Sequence, residues 1–96
     1  MYFLLIYKAV ENFVEKRQPH RETHLAHARA AHERGELLVA GALDLPPDGA
    51  VLVFEGEDNR VAVEFANQDP YVQAGLITEW TVRPWTVVFG GEISVD

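Results

Sequence analysis

The order of strand-forming and helix-forming segments is the feature that most constrains how this chain folds. Four runs of apolar and β-forming residues are separated by two segments that lack such runs, and the first spans residues 2–7 without a charged residue. A continuous apolar run is typical of a strand that is buried on both faces or lies centrally in a sheet. We therefore expect residues 2–7 to form a central strand.

Two helices are predicted in addition to the strands. Residues 19–34 are rich in Ala, Arg, Glu and His, with Pro19 suited to the first helical position and Gly35 to the position after a helix. A shorter helix is predicted for residues 58–68, beginning at a capping aspartate. We expect this helix to end at residue 68, because Asp69 precedes a proline and a residue in that position disfavours the α conformation.

The other strands are predicted at residues 37–43, 50–55 and 77–89. Residues 45–49, with the sequence LPPDG, predict a hairpin-like loop between the second and third strands. Pro84 lies inside the last segment and predicts an edge position, a bulge or a bend. One kinked strand and two shorter strands are both compatible with this pattern.

This order predicts an α+β, ferredoxin-like βαββαβ fold with a four-stranded antiparallel sheet and both helices on one face. Runs such as Leu4-Leu5-Ile6 leave too little polar alternation for a solvated second face. We therefore expect a homodimer that buries this face. Residues 1–96 are assigned to one domain, in which the order of the tail, about residues 90–96, stays open.

Composition excludes several classes of function. Fifteen acidic residues against 8 basic ones give a net charge of −7, so we expect no nucleic-acid partner. The absence of cysteine excludes disulfides, thiolate zinc sites, iron–sulfur clusters and a cysteine nucleophile. The apolar N-terminal run is too short for a membrane span and follows no basic segment, so we expect a cytoplasmic protein without a membrane partner.

The first predicted helix carries all four histidines of the chain. On a helical wheel, Arg21, His24 and His32 lie within the arc expected to face the core, whereas His20 and His27 lie just outside it, at positions predicted to be exposed. The residues that define the core-facing arc are Leu25, Ala28 and Ala31.

Polar side chains that face an apolar sheet require a partner or a cavity, so we expect Arg21 and His24 to share a polar site near the end of the sheet. His32 lies in the last helical turn and is predicted to be structural, because a donor there suits the helix C-terminal carbonyls. A structural role for His24 is the alternative to a functional one.

Three histidines at helical spacing also raise the possibility of a metal site. His20, His24 and His27 fit one helix face, but the sequence HRETH lacks the glutamate that follows the first histidine in zincins. Arg21 between the histidines opposes a cation. We predict no metal site and no cofactor.

Asp69 allows two interpretations. Before a proline, its carboxylate commonly accepts a nearby backbone N–H in a turn. Alternatively, the second helix runs antiparallel to the first in this topology, so its end brings Asp69 within reach of His24. Such a pair would fix the imidazole tautomer and raise its basicity for acid–base chemistry.

Residues spread over most of the chain follow the pattern of one known family: Glu15-Lys16-Arg17, Arg21, His24-Leu25, Gly35, Leu37-Leu38, Ala40-Gly41, Asp69-Pro70-Tyr71, Ala74-Gly75, Val82 and Pro84. In these residues and their order, the chain resembles the YCII-related family of small dimeric proteins. That resemblance implies a ferredoxin-like fold, dimerisation into an α+β barrel and a site centred on a His/Asp pair, here His24 and Asp69. The family is related in fold to muconolactone isomerases and includes a dehydrochlorinase.

Together, these features predict a dimer that binds a small anionic or enol-forming molecule and isomerises it or eliminates a group from it. His24 would be the general base and acid, Asp69 would orient it, and Arg21 and Tyr71 would contact the substrate. A non-catalytic metabolite-binding or accessory dimeric module is the alternative function. Cofactor-free oxygenation is a third candidate function.

Overall fold

The computed structural model describes residues 1–90, so the predicted tail lies almost entirely outside the described residues. The fold is α+β, with one four-stranded antiparallel sheet in the order β2-β3-β1-β4. The predicted ferredoxin-like arrangement is therefore confirmed. The elements are β1 (Tyr2–Ala9), α1 (Phe13–Lys16), α2 (Gln18–Glu33), β2 (Leu37–Ala42), β3 (Gly49–Glu55), α3 (Arg60–Gln68), α4 (Pro70–Gln73) and β4 (Ile77–Trp85).

The central position predicted for the first strand is confirmed, because β1 pairs with β3 on one side and β4 on the other. Pro84 lies in the edge strand β4, opposite Phe3, as its missing N–H requires. The strand prediction for residues 77–89 is too long. β4 ends at Trp85 because that residue pairs with Tyr2, the first residue of β1, beyond which no partner remains.

Helices cover one face of the sheet and bury alternate residues of β1. Phe3, Leu5 and Tyr7 are buried in the core, because successive side chains of a strand point to opposite faces. On the other face, Ile6 is 37% exposed and Val39 of β2 is 57% exposed. The core is completed by residues from β2, β3 and the helices, among them Leu37, Leu52, Phe54, Ala62, Phe65 and Ala66.

Helix α2 begins one residue before Pro19 and is preceded by the short helix α1, which was not predicted. It ends as predicted, with Gly35 at a φ of +80°, a conformation that favours glycine. Helix α3 begins at Arg60 with Asn59 at its N-cap, so the prediction of Asp58 as the capping residue is wrong by one position; the Asp58 carboxylate still accepts a 3.0 Å hydrogen bond from the backbone N–H of Arg60. The four-residue helix α4 was also not predicted.

Two burial predictions for the middle of α2 are wrong. Leu25 is 43% exposed instead of lying in the core, because a cavity lies beneath this part of the helix. His27 is half-buried instead of exposed: its ring stacks on Phe65 of α3 at 4.3 Å, and its Nε2 lies 3.0 Å from the Phe65 carbonyl oxygen. The neighbouring helix therefore covers a flank that the wheel assigns to solvent.

The other wheel positions agree more closely with the structure. Ala31 is fully buried and Ala28 is half-buried against the core. His20 is half-buried, so its prediction as an exposed residue is only partly met. His32 is exposed, so its place in the core-facing arc is wrong. It makes a structural contact, but its Nδ1 lies 2.7 Å from the carbonyl oxygen of Leu37, beyond the helix, instead of contacting the helix C-terminal carbonyls.

Candidate active site

Asp69 is the fully buried carboxylate at the centre of the site. Its Oδ1 accepts a 2.7 Å hydrogen bond from Nδ1 of His24 and a 3.0 Å bond from the backbone N–H of Tyr71. Its Oδ2 accepts a 2.7 Å bond from the hydroxyl of Tyr7. Burying an unpaired carboxylate is strongly unfavourable, so these three donors are what stabilise the charge in the core.

The backbone positions this carboxylate at a junction between two helices. Asp69 follows the last residue of α3, has an extended conformation with ψ of 124° and caps α4, which begins at Pro70. The proline favours this extended conformation in the residue that precedes it. Both contacts anticipated for Asp69 are present: the turn-like bond to a backbone N–H and the bond to His24.

His24 lies on α2 with its imidazole between Asp69 and Tyr71. The His24 and Tyr71 rings stack at a centroid distance of 3.8 Å and an interplanar angle of 7°. Only 15% of the His24 side chain is exposed. An ionised carboxylate can only accept a hydrogen bond, so it favours the tautomer with the proton on Nδ1 and leaves Nε2 as a proton acceptor.

Tyr7 is a part of the site that sequence reasoning missed. Burial is the main cause that raises the pKa of its phenol far above the ordinary value, and the charge of Asp69 and the hydrogen bond to it act in the same direction. Tyr7 therefore remains a protonated donor at neutral pH. The available signal was its place on the helix-facing side of a central strand, where a buried hydroxyl requires a partner.

A cavity of about 260 Å³ lies between α2 and the sheet, next to His24. Arg21, His24 and Tyr71 all line it, whereas Asp69 lies behind the imidazole and outside the lining. The volume lies just below the usual range of ligand pockets, roughly 300–1,000 Å³, so the cavity suits only a small molecule. The structure thus brings the four predicted site residues together, three on the wall and one supporting it.

Two arginines of this cavity lack an anionic partner within residues 1–90. The close contacts between basic and acidic side chains among the described residues are His24–Asp69, Arg34–Glu36 and Arg60–Asp58, and none of them includes Arg17 or Arg21. Arg17 was not predicted as a site residue. Its guanidinium carbon lies 5.4 Å from the centre of the Phe13 ring, an arrangement typical of a cation–π contact.

The helical histidines do not converge on one point. His24 contacts Asp69, while His27 contacts the Phe65 carbonyl. Over residues 1–90, no group of three or more His, Cys, Asp or Glu side chains is arranged to hold a metal ion. In the same part of the chain, no helix is both long enough and apolar enough to cross a membrane.

Comparison of the sequence with known proteins gives a match between residues 1–86 and the YCII-related domain. An uncharacterized protein of Haemophilus influenzae is 32% identical over 98 residues, which cover 93% of this chain and 100% of the relative. Protein YciI of Escherichia coli is 36% identical over 85 residues, which cover 79% of this chain and 87% of the relative.

Comparison of the structure gives related folds. A 5-chloro-2-hydroxyhydroquinone dehydrochlorinase from Burkholderia phenoliruptrix, solved with 2,5-dihydroxybenzoquinone, superposes with a TM-score of 0.74 and 25% identity, covering 88% of this chain and 93% of that one. A NIPSNAP family protein from Agrobacterium tumefaciens has a TM-score of 0.54 at 18% identity, covering 85% of this chain and 87% of that one. The second likeness concerns the fold alone.

Proposed function

This chain belongs to the YCII-related domain family, and from that premise we propose that it is a cofactor-independent isomerase or lyase. It acts by acid–base chemistry on a small anionic or enol-forming organic substrate. The observation that carries this proposal is the bond between Nδ1 of His24 and the buried Asp69 carboxylate at the wall of a cavity. The dehydrochlorinase with a similar fold was solved with a small quinone, which supports this substrate class.

Nε2 of His24 is the atom that removes the substrate proton. The imidazolium formed in this way is stabilised by the negative charge of Asp69, 2.7 Å from its Nδ1. In an isomerisation, Nε2 returns the proton to a different atom of the substrate. In an elimination, the electrons of the broken C–H bond form a double bond, and the leaving group departs with the electrons of its own bond.

Arg21 and Tyr71 act on the substrate from the wall of the cavity. The guanidinium of Arg21 stabilises a substrate carboxylate or the negative oxygen that develops when the proton leaves. Tyr71 supports the His24 ring by stacking and contacts the substrate at the cavity surface. These contacts require no resident cofactor.

The active protein in this proposal is a cytoplasmic homodimer of single-domain subunits. The second sheet face includes Ile6, Val39 and Trp85, which are 37%, 57% and 39% exposed. The strand register places them on this face. Their partners Val51, Val53 and Tyr2 alternate with residues of the helix-covered core, and paired residues of neighbouring strands point to the same face. Two copies related by a twofold axis, the commonest symmetry of small homo-oligomers, would bury this face against each other.

A non-catalytic metabolite-binding or accessory module is the second candidate function. The observation in its favour is that Asp69 also has structural contacts, because it caps α4 and binds the hydroxyl of Tyr7 in β1. In such a module, His24 would only complete a buried hydrogen-bond network. The two functions differ in whether any substrate is converted.

Turnover separates the two candidates. We would assay muconolactone-like lactones and acids derived from chlorinated aromatics with the wild type, His24→Gln and the matched control His20→Gln. The side chain of His20 makes no hydrogen bond within the described residues and lies on the same helix. We expect His24→Gln to lower kcat/KM at least about 100-fold, as for loss of a general base, and His20→Gln to retain it. Equal turnover by the wild type and His24→Gln would exclude the proposed chemistry.

A further inference from the structure

Arg17 and Arg21 concentrate positive charge at the cavity of an acidic protein. The chain has 8 Lys and Arg residues against 15 Asp and Glu, yet these two arginines line the same cavity without an ion-pair partner in residues 1–90. Asp69 does not serve as their partner, since its oxygens accept bonds from Tyr7, His24 and a backbone N–H.

Helix geometry places Arg17 and Arg21 on the same side of the helix. Arg17 has the helical angles φ −74° and ψ −16° and lies four residues before Arg21, so the two side chains lie on one face about one turn apart. Like charges at this spacing repel each other. A bound anion would remove that repulsion.

Packing holds Arg17 in place without satisfying its hydrogen bonds. Its guanidinium lies over Phe13, and the Phe13 ring in turn contacts the Tyr71 ring edge-to-face at 5.3 Å. Within residues 1–90, Nε of Arg17 and the hydroxyl of Tyr71 are buried without a hydrogen-bond partner. Buried donors are nearly always paired, so these two groups mark a part of the cavity wall whose hydrogen-bonding capacity is unused among residues 1–90.

We propose that Arg17 and Arg21 form the carboxylate-binding subsite of this cavity, and that the ligand is a small, flat organic acid. A planar guanidinium matches the two oxygens of a carboxylate. Apolar side chains of the cavity, Leu25, Leu52 and Ile77, contact the carbon skeleton and favour an organic anion over an inorganic one. This inference deepens the proposed function by naming its substrate class.

The test is equilibrium binding, which does not depend on turnover. We would titrate the intact protein with benzoate and with its neutral analogue benzamide at constant ionic strength, by calorimetry and by NMR of the histidine side chains. The variants are Arg17→Gln and the matched control Arg29→Gln, which removes the same charge from an exposed position of α2. Thermal unfolding of each variant confirms that it is folded.

We expect benzoate to bind the wild type at least about 10-fold more tightly than benzamide. Arg17→Gln should weaken benzoate binding by about 10- to 100-fold, or about 1.4–2.8 kcal/mol, while Arg29→Gln changes it less than about twofold. Arg17→Lys keeps the charge but loses the planar fork, so it should give an intermediate loss and provides a second variant if Arg17→Gln does not fold.

Three results would overturn the inference: equal affinity for benzoate and benzamide, unchanged benzoate binding in Arg17→Gln, or an equal loss in Arg29→Gln. A His24→Gln protein should still bind benzoate, because the carboxylate lies at the arginines. Tight benzoate binding without turnover of any substrate would thus contradict the proposed enzyme and leave the subsite intact. Turnover without a preference for benzoate over benzamide would contradict the subsite and leave the proposed enzyme intact.

Discussion

The hydroxyl of Tyr7 donates a 2.7 Å hydrogen bond to Oδ2 of Asp69, joining the central strand β1 to the end of α3 across 62 residues of sequence. The other oxygen of the same carboxylate binds His24. With one oxygen held by the sheet and the other facing α2, the carboxylate cannot rotate without breaking a bond. Tyr7 is therefore positioned to set the orientation of the His24 ring.

Loss of this bond should destabilise the protein. Tyr7→Phe removes one of the donors to a fully buried carboxylate, and we expect the free energy of unfolding to fall by about 1–3 kcal/mol. Urea denaturation measures the change. Tyr2→Phe is the matched control, because Tyr2 is also buried in β1 but its hydroxyl makes no hydrogen bond within the described residues. An equal loss in both variants would contradict a specific role for the Tyr7 hydroxyl.

Alkaline pH should lower the stability of the wild type more steeply than that of Tyr7→Phe. The pKa of Tyr7 is raised above its ordinary value of 10.0, chiefly by burial and then by Asp69. The native state thus retains this proton above pH 10 while the unfolded state releases it, so stability is present below pH 10 and is lost as pH rises further. Between about pH 9 and 11.5, urea midpoints should fall more steeply for the wild type and Tyr2→Phe than for Tyr7→Phe. Parallel curves would exclude this linkage.

Local geometry explains which parts of the site could be predicted from sequence. Arg21 and His24 are three residues apart on one helix, so a wheel places them on one face without knowledge of the tertiary structure. Asp69 became a candidate because Pro70 ends the second helix and the topology makes the helices antiparallel. Each of these steps depends on neighbours in the sequence or on the order of the elements.

The features that the sequence did not predict depend on how the helices pack against the sheet and against each other. The wheel predicts that Leu25 is buried, but it has no information about the cavity beneath α2. It predicts that His27 is exposed because it does not include α3, whose Phe65 covers that ring. Similarly, no local pattern pairs Tyr7 with an acid 62 residues away.

Removing the charge of Asp69 should impair turnover more than binding. In Asp69→Asn the side chain keeps its shape, but the imidazolium formed at His24 loses its counter-ion. We expect kcat to fall at least about 100-fold on any substrate that the wild type converts, with benzoate affinity changed less than about threefold. Asp58→Asn is the control, since that carboxylate is exposed and pairs with Arg60. Retained kcat in Asp69→Asn would remove Asp69 from the mechanism.

A charge on the second sheet face, which includes Ile6, should dissociate the proposed dimer. Ile6 is 37% exposed on the face opposite the helices, so Ile6→Lys puts a cation into the interface without entering the core of one subunit. Sedimentation velocity at several concentrations should show a wild-type dimer and an Ile6→Lys monomer, because a buried unpaired charge opposes association. Val14→Lys is the control: Val14 is 40% exposed on α1, away from this face, and its variant should remain dimeric. A wild type that stays monomeric at tens of micromolar would show that the apolar face does not pair with a second copy.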